Sequence, residues 1–304
     1  MNEQTMLSII SQHLPWLTIE TTSFNYSGWD HDIIIINEEL VFRFPQNQAV
    51  RRHTERETAL LKAIEKTSPP LQVPNFQVIR DKQGRTIAVY YPLIKGEALT
   101  SPQHAALISN QDNAKLLGEF LSKLHEIPAK QVDSPLLTIH TQEYWQRLFD
   151  SVETHILPNL AEDESMIVSN FFHGFLQETE QQPIQQAWIH GDLSANNIIF
   201  NKESGLVTGI IDFTDSQYGD PAFDFAGFYW DFGPAFTRQV LRYYSGREPV
   251  AHLFERIRNF YGLQPVFHEL LYQVKKGQMV NWPTALEKFK RLKKMQATSD
   301  HSFD

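Results

Sequence analysis

The sequence predicts an α+β protein of two lobes, a smaller strand-rich lobe at the N-terminus and a larger, mainly helical lobe after it. With 304 residues the chain is long enough for two hydrophobic cores. From residue 19 to residue 92 short β-rich runs alternate with turn residues. After residue 113 helical periodicity dominates. We therefore predict an N-lobe over 1–94, an antiparallel sheet with one helix, and a C-lobe over 95–304.

Composition and charge exclude several classes of protein. The absence of cysteine excludes a disulfide framework and thiolate metal sites, and is compatible with a reducing cytosol. The formal net charge of −9 argues against a general nucleic-acid binder. Apolar runs such as 33–36 fall far short of the roughly 20 residues of a membrane helix, and residues 1–16 lack the pattern of a secretory signal. We expect a cytoplasmic protein with no nucleic-acid or membrane partner, of undetermined oligomeric state.

The N-lobe begins with a hairpin followed by a helix. Residues 24–32 form a polar turn that contains glycine, and 39–44 have the pattern of the strand returning from it. Between 51 and 66 the apolar residues recur at helical spacing, and Pro69 and Pro70 end that helix. This arrangement predicts a hairpin that lies over a ligand.

The lobe boundary and the first helices of the C-lobe follow. The β-rich run 86–91 leads into a break at Lys95 and Gly96. An apolar stripe over 113–127 predicts a core helix, and helical periodicity returns over 144–176. Three short β-rich runs come next, at 187–189, 198–200 and 206–212.

Two motifs beside these runs carry the chemistry. The first is His190-Gly191-Asp192-Leu193-Ser194-Ala195-Asn196-Asn197, and the second is Ile210-Ile211-Asp212-Phe213. Phosphoryl transfer needs oxygen atoms that hold Mg²⁺ on nucleotide phosphates and one carboxylate that orients the attacking hydroxyl. Asp192, Asn197 and Asp212 supply such a set, and Asp192 and Asn197 have the five-residue separation found in kinase catalytic loops.

With these motifs the chain resembles the aminoglycoside phosphotransferase family, antibiotic kinases of protein-kinase-like fold that include macrolide 2'-phosphotransferases. The resemblance runs over nearly the whole chain and implies Mg²⁺ as cofactor and ATP or GTP as phosphate donor. It implies that Asp192 is the catalytic base and that Asn197 and Asp212 bind the metal, with Asn196 as the alternative to Asn197. His190 would be a structural member of the loop.

The resemblance also implies where the nucleotide binds. Ser27 and Gly28 lie in a turn similar to the phosphate loop of the family, although a hairpin alone can require this glycine. The segment 90–96 resembles the interlobe hinge, whose backbone bonds the purine base, and it contains Tyr91 and Leu93.

Arg43 stands where kinases keep the lysine that grips the phosphates. Its expected partner is Glu57, with Glu55 as the alternative, and we expect Glu57 to lie on a different helix face from the core residues. The two side chains could also form an ordinary surface ion pair.

Three further positions follow from the resemblance. Asp220 and Asp224 match family positions that brace the catalytic loop and cap a helix. Thr214 is a departure from the usual kinase pattern, because Asp212-Phe213-Thr214 stands where a kinase usually carries Asp-Phe-Gly. The departure leaves the backbone conformation after Asp212 open.

The acceptor is expected to bind the region after Asp224. Residues 225–304 contain 12 lysines and arginines against 7 aspartates and glutamates, which suits a polycationic aminoglycoside poorly. The region is rich in aromatic residues, which favour a large apolar ligand with a polar edge: Phe228, Tyr229, Trp230, Phe232, Phe236, Tyr243 and Tyr244. We therefore favour a macrolide, phosphorylated on its desosamine 2'-hydroxyl and so inactivated, with Asp231 and Trp230 in contact with it.

Other acceptors and one other class of protein stay open at this point. The aromatic residues can be core residues instead of ligand contacts, in which case an aminoglycoside is the second candidate. A small metabolite such as homoserine, choline or a sugar is the third. A pseudokinase that binds nucleotide without transferring phosphate is the alternative from another class, and the retention of Asp192, Asn197 and Asp212 argues against it.

Overall fold

The computed structural model describes residues 1–25, 30–181 and 184–298. It has the two lobes that the sequence predicts, an antiparallel sheet of five strands followed by a larger, mainly helical part. Within these ranges no helix combines the length and the hydropathy needed to cross a bilayer. The boundary at residue 94 stays a prediction.

The N-lobe places a sheet between two helices. In chain order its elements are α1 (Glu3–His13), β1 (Thr22–Asn25), β2 (His31–Ile36), β3 (Leu40–Pro45), α2 (Gln48–Glu65), β4 (Gln77–Arg80) and β5 (Thr86–Pro92). The strands lie in the order β1-β2-β3-β5-β4, and all neighbours are antiparallel. Both helices start at an asparagine cap, because Asn2 accepts from the Thr5 N–H and Asn47 from the Val50 N–H.

The two faces of this sheet have different neighbours. Since side chains alternate along a strand, one face carries the residues that pack on α1: Ile34, Ile36, Phe42, Phe44, Ile79 and Ala88. The opposite face carries Val41, Val89 and Tyr91, which belong to the core shared with α2 and the C-lobe. Arg43 is two residues from Val41 and is paired with Val89. It therefore points toward the C-lobe.

The helix predicted for the N-lobe is α2, which begins three residues earlier than expected because Asn47 caps it. Helix α1 is an addition to the prediction. Its sequence signal is the four-residue spacing of Met6 and Ile10, both fully buried against the sheet.

The C-lobe contains most of the helices and two small sheets. Its strands are β6 (Glu97–Ala98), β7 (Ala187–Ile189), β8 (Ile198–Asn201), β9 (Leu206–Ile210) and β10 (Gln217–Gly219). Its α-helices are α3 (His104–Ser109), α4 (Gln111–Glu126), α5 (Gln142–His155), α6 (Glu162–Gln181), α7 (Ala226–Arg242), α8 (Val250–Arg256), α9 (Pro265–Lys275), α10 (Trp282–Ala285) and α11 (Glu287–Thr298). The three predicted β-rich runs are β7, β8 and β9, and the predicted helical stretches are α4, α5 and α6.

Strand pairing brings the two sequence motifs together. The chain leaves β7, forms the loop 190–197 with a short 3-10 turn at Ala195–Asn197, and enters β8. Strands β8 and β9 are antiparallel, with Ile198 opposite Ile210. The Ile211 N–H donates to the carbonyl of Asn197 at 3.0 Å. The segment that holds Asp212 therefore lies beside the end of the 190–197 loop.

Candidate active site

His190 holds the 190–197 loop against the Asp212 segment. Its Nδ1 accepts from the Asp192 N–H at 3.2 Å, which leaves Nε2 to donate to the Ile211 carbonyl at 2.9 Å. Its ring packs on Phe213, with 4.5 Å between centroids. Both ring nitrogens thus bond backbone groups, and the structural role of His190 stays a prediction.

Asp224 fixes the start of the same loop. Its fully buried carboxylate accepts from the N–H groups of His190 (2.8 Å) and Gly191 (3.0 Å) and from His125 Nε2 (3.0 Å). Gly191 has φ +83°, and a Cβ there would lie 2.2 Å from the carbonyl oxygen of Asp215. A glycine and a buried carboxylate are therefore both required for this loop conformation.

Replacing Asp224 with asparagine is expected to lower the free energy of unfolding by about 3 kcal/mol, because the new amide group faces N–H donors and leaves a buried cluster unsatisfied. Denaturant unfolding measures this loss. The matched control is Asp133→Asn at an exposed aspartate, which should change stability by less than about 0.5 kcal/mol. Equal losses in the two variants would contradict the bracing role of Asp224.

Asp192 and Asn197 are in direct contact. The Asn197 side-chain nitrogen donates to the main-chain oxygen of Asp192 at 2.7 Å and to Asp192 Oδ2 at 3.0 Å. The pKa of Asp192 lies above its ordinary value, chiefly because of burial. The charge of His190 and the hydrogen bond from Asn197 lower this pKa, whereas the negative charges of Asp215 and Asp212 raise it. The contact leaves the amide oxygen of Asn197 as the atom that can face a cation.

Asp212 adopts a left-handed backbone conformation, with φ +63°. Its half-exposed carboxylate accepts from Thr214 Oγ1 at 2.7 Å and from Arg43 Nη2 at 3.3 Å. Partial burial raises the pKa of Asp212, but Arg43 and the Thr214 hydroxyl outweigh it and hold the pKa below its ordinary value. The threonine that departs from the kinase pattern therefore bonds the carboxylate that we predict to hold the metal.

Arg43 is the centre of a buried network between the lobes. It donates to Glu57 Oε1 at 2.8 Å, to Thr214 Oγ1 at 2.9 Å and to His31 Nδ1 at 3.2 Å. Burial lowers the pKa of Arg43, but the charges of Glu57 and Asp212 raise it above its ordinary value. Arg43 therefore stays charged next to Asp212.

His31 is neutral in this network. Burial, followed by the charge of Arg43, lowers the pKa of His31 to about 3. Because a guanidinium group only donates, Nδ1 accepts from Arg43 and Nε2 donates to Thr54 Oγ1 at 2.8 Å. A neutral imidazole can thus orient Arg43 without adding a charge beside it.

Glu57, and not Glu55, is the partner of Arg43. Glu57 also accepts from the Phe213 N–H at 3.1 Å, whereas Glu55 accepts from Thr86. The expectation that Glu57 lies away from the core face was wrong. Glu57 is fully buried, because it stands four residues before Leu61 and on the same side of α2.

The remaining predicted nucleotide contacts are Ser27, Gly28, Tyr91 and Leu93. Ser27 and Gly28 lie outside the described residues. Tyr91 lies within β5, buried, with its ring 5.3 Å from that of Phe76. The Leu93 N–H donates to the Glu39 carbonyl at 2.7 Å, so this backbone donor is already used within the N-lobe. A base contact at Leu93 therefore requires its carbonyl group.

A cavity of about 510 Å³ opens beside Asp192. Its described lining residues include three aspartates, Asp192, Asp215 and Asp231, and no lysine or arginine. Gln264 also lines it, and the Oε1 atom of Gln264 is buried with no hydrogen-bond donor among the described residues. The aspartates and the Gln264 oxygen therefore offer acceptors to a ligand in this cavity.

Two neutral histidines complete the wall of the cavity. Burial, followed by the charge of His268, lowers the pKa of His140 to about 4. Burial, followed by the charge of Lys275, lowers the pKa of His268 to about 4. Neither ring adds positive charge at neutral pH, so the cavity suits a ligand that is cationic and rich in donors.

Of the aromatic residues expected to face the acceptor, most lie in the core. The side chains with 6% or less of their surface exposed are those of Phe228, Tyr229, Phe236 and Tyr244. Trp230 does line the cavity. Composition alone could not distinguish these positions, because a helix that packs on both sides buries aromatic residues around most of its circumference.

Asp231 and Asp220 have identifiable partners. Asp231 lines the cavity and accepts from the Ala195 N–H at 3.2 Å, which joins α7 to the 190–197 loop. Asp220 accepts from Arg256 at 2.8 and 2.9 Å and caps the short helix Pro221–Phe225. Asp220 thus connects α8 to the short helix that it caps, and its predicted structural role stays a prediction.

Asp215 is a functional candidate that sequence reasoning missed. Its carboxylate lines the cavity with Asp192. Burial, then the charges of Asp212 and Asp30, raise the pKa of Asp215. The signal available in the sequence was an aspartate three residues after Asp212. Gln264 and His268 come from a distant part of the chain and have no such signal.

Known proteins share both the sequence pattern and this fold. A family model described as the phosphotransferase enzyme family matches residues 21–254. The uncharacterized protein YcbJ of Bacillus subtilis (strain 168) is 24% identical over 281 residues, which cover 86% of this chain and 88% of the relative.

Solved structures of similar fold include antibiotic phosphotransferases. Aminoglycoside 2'-phosphotransferase-IIIa in its GDP complex superposes with a TM-score of 0.78 at 22% identity, covering 97% of this chain and 100% of that one. Macrolide 2'-phosphotransferase MphH from Brachybacterium faecium has a TM-score of 0.67 at 18% identity, covering 94% and 98%. At these identities the likeness is one of fold. The match over residues 21–254 shows that this chain belongs to the phosphotransferase enzyme family.

Proposed function

We propose that this phosphotransferase moves the γ-phosphate of ATP or GTP, with Mg²⁺, onto a hydroxyl of an amine-bearing antibiotic and thereby inactivates it. The observation that carries the proposal is the position of Asp192, which accepts from Asn197, is close enough to Asp212 for that charge to raise its pKa, and lines a cavity with two further aspartates. The relatives of solved structure named above are phosphotransferases of such antibiotics.

Asp192 acts as the base toward the acceptor hydroxyl. A carboxylate beside the attacking oxygen orients the hydroxyl and takes its proton as the bond to phosphorus forms and the bond to the leaving nucleotide oxygen breaks. The hydrogen bond from Asn197 fixes the orientation of its carboxylate. The proton leaves the hydroxyl for a carboxylate oxygen of Asp192.

Asp212 and Asn197 fit Mg²⁺. This ion prefers oxygen ligands and is commonly held by one or two side chains together with nucleotide phosphates. The low pKa of Asp212 keeps its carboxylate ionised, and the Asn197 amide is turned with its nitrogen to Asp192. Bound there, Mg²⁺ would neutralise phosphate charge, and the guanidinium group of Arg43, held by Glu57 and next to Asp212, would add positive charge beside it.

The cavity supports an acceptor that carries an amine near the reacting hydroxyl. Asp215 can bind an ammonium group while Asp192 contacts the hydroxyl, and the Gln264 oxygen can accept from a further N–H or O–H. We keep a macrolide, phosphorylated at its desosamine 2'-hydroxyl, as the first candidate, because one amine and an aromatic wall at Trp230 suffice for it. An aminoglycoside is the second candidate, favoured by the three aspartates.

Product mass tests the proposal. The protein is incubated with Mg²⁺, ATP or GTP, and separate panels of macrolides, aminoglycosides, and homoserine, choline and sugars. We expect a mass gain of one phosphate on an amine-bearing antibiotic. A gain only on a small metabolite would replace the antibiotic by a metabolic acceptor. Nucleotide binding without any product in all panels would favour a pseudokinase.

The pH dependence of kcat gives a separate prediction. Asp192 must be deprotonated to act as base, so kcat should fall as pH falls through its raised pKa. Asp215→Asn removes a neighbouring negative charge, so the pKa of Asp192 should fall. The acidic limb of the plot of kcat against pH should therefore move down by about half a pH unit. Saturating acceptor separates this effect from weaker binding. A limb that stays in place or moves up would disprove the coupling.

A further inference from the structure

Lys288, on the C-terminal helix α11, lies against the wall of the acceptor cavity. Its ammonium nitrogen is 4.1 Å from the centroid of the Trp230 ring, and Trp230 lines the cavity. A cation over an indole face at this distance is held by the negative face of the ring. The protein therefore places its own cation on an aromatic ring of the cavity wall, although Lys288 itself is not one of the described lining residues.

The charges around Lys288 connect it to the cavity. Burial lowers the pKa of Lys288. The negative charge of Asp231 acts against that shift, the positive charge of Arg291 adds to it, and the negative charge of Glu269 acts against it. Asp231 lines the cavity and also accepts from the Ala195 N–H. Asp231 thus accepts a hydrogen bond from a backbone N–H and interacts with the positive charge of Lys288.

This arrangement divides the cavity electrostatically. Asp192 and Asp215 line the cavity, and the two histidines in its wall are neutral. Asp231 lines it too, but its negative charge also acts on the ammonium group of Lys288. One ammonium group of a ligand can pair with Asp215, whereas a second one near Trp230 and Asp231 meets the positive charge of Lys288.

We propose that Lys288 is a specificity-determining residue that limits the acceptor to molecules with a single ammonium group close to the reacting hydroxyl and an uncharged remainder. It acts by repelling further positive charge near Trp230 and Asp231, not by contact with the reacting atoms. The inference rests on the proposed function, because it names the charge class of the acceptor of that same site.

The test compares cation binding in wild-type protein and Lys288→Met, which keeps an apolar side chain of similar length on Trp230. Calorimetric titrations use erythromycin, with one amine, kanamycin, with several amines, and spermidine, a polycation without a hydroxyl. We expect Lys288→Met to tighten binding of kanamycin and spermidine by about tenfold and to change that of erythromycin by less than about twofold.

The matched control is Lys290→Met on the same helix. Lys290 pairs with Glu164 at 2.5 Å and is exposed, so its loss removes the same charge away from Trp230. It should leave all three affinities within about twofold. Thermal unfolding of both variants establishes that they are folded.

The outcomes separate the two proposals. Unchanged affinity for the polycations in Lys288→Met, equal gains for all three probes, or equal effects of Lys288→Met and Lys290→Met would each overturn the role of Lys288. Absence of binding of every probe to both proteins would overturn it too. The proposed function fails when the product-mass experiment gives no phosphorylated product. Spermidine has no hydroxyl to phosphorylate, so its binding tests the role of Lys288 even in that case.

Discussion

Replacing Asp192 with alanine is expected to lower kcat by about a thousandfold and to leave the affinity for Mg²⁺-nucleotide nearly unchanged. The loss comes from the base and from the orientation of the acceptor hydroxyl. Nucleotide binding should survive because Asn197 also donates to the main-chain oxygen of Asp192 at 2.7 Å, a contact that alanine keeps. Single-turnover kinetics and nucleotide titration measure the two quantities separately.

The Asp192→Ala result can fail in two informative ways. A variant that keeps wild-type kcat would remove Asp192 from the role of base and leave Asp215 as the candidate, since both line the same cavity. A variant that loses nucleotide affinity as much as kcat would show that the carboxylate mainly positions Asn197. Asp215→Ala is the matched comparison, because it removes a carboxylate from the same cavity and leaves the 190–197 loop intact.

The loop 190–197 could be predicted because its chemistry is local. Asp192 and Asn197 are five residues apart and bond each other directly, and the strands on either side fix the direction of the chain. The two-lobed fold was predicted for a similar reason, since the periodicity changes from strand-like to helical near the observed boundary of the sheet. Local sequence decides both features, and the structure confirms the fold.

The acceptor cavity could not be predicted, because its walls come from distant parts of the chain. Asp215 follows β9, Trp230 belongs to α7, and Gln264 and His268 lie at the start of α9. Their meeting depends on helix packing, which the sequence pattern does not specify. For the same reason the aromatic residues after 225 were expected at the ligand and are mostly found in the core.

The face of α2 could have been predicted with more care. Glu57, Leu61 and Ile64 have the spacing i, i+4, i+7 and so share one side of a helix. A carboxylate on the buried side of a helix requires a cationic partner, and Arg43 on the facing strand supplies it. The same argument excludes Glu55, which lies two residues away and about 200° around the helix.

Replacing Asp212 with asparagine is expected to weaken Mg²⁺-nucleotide binding by more than about tenfold and to lower kcat further, because a charged metal ligand becomes neutral. Asparagine is the right substitution here. Residue 212 has φ +63°, a conformation that asparagine adopts with little strain, whereas alanine would add backbone strain to the loss of the carboxylate. The measured effect therefore reports on the charge.

The dependence on Mg²⁺ concentration separates metal binding from disruption of the interlobe network. Arg43 keeps its contacts with Glu57 and Thr214 when residue 212 is neutral, so the variant should stay folded and should recover part of its activity at high Mg²⁺. Thr214→Val is the comparison variant, because it removes the hydroxyl that bonds both Asp212 and Arg43 and keeps the carboxylate. It should require less additional Mg²⁺ than Asp212→Asn. Equal Mg²⁺ dependence in Asp212→Asn and wild-type protein would show that the metal is held elsewhere.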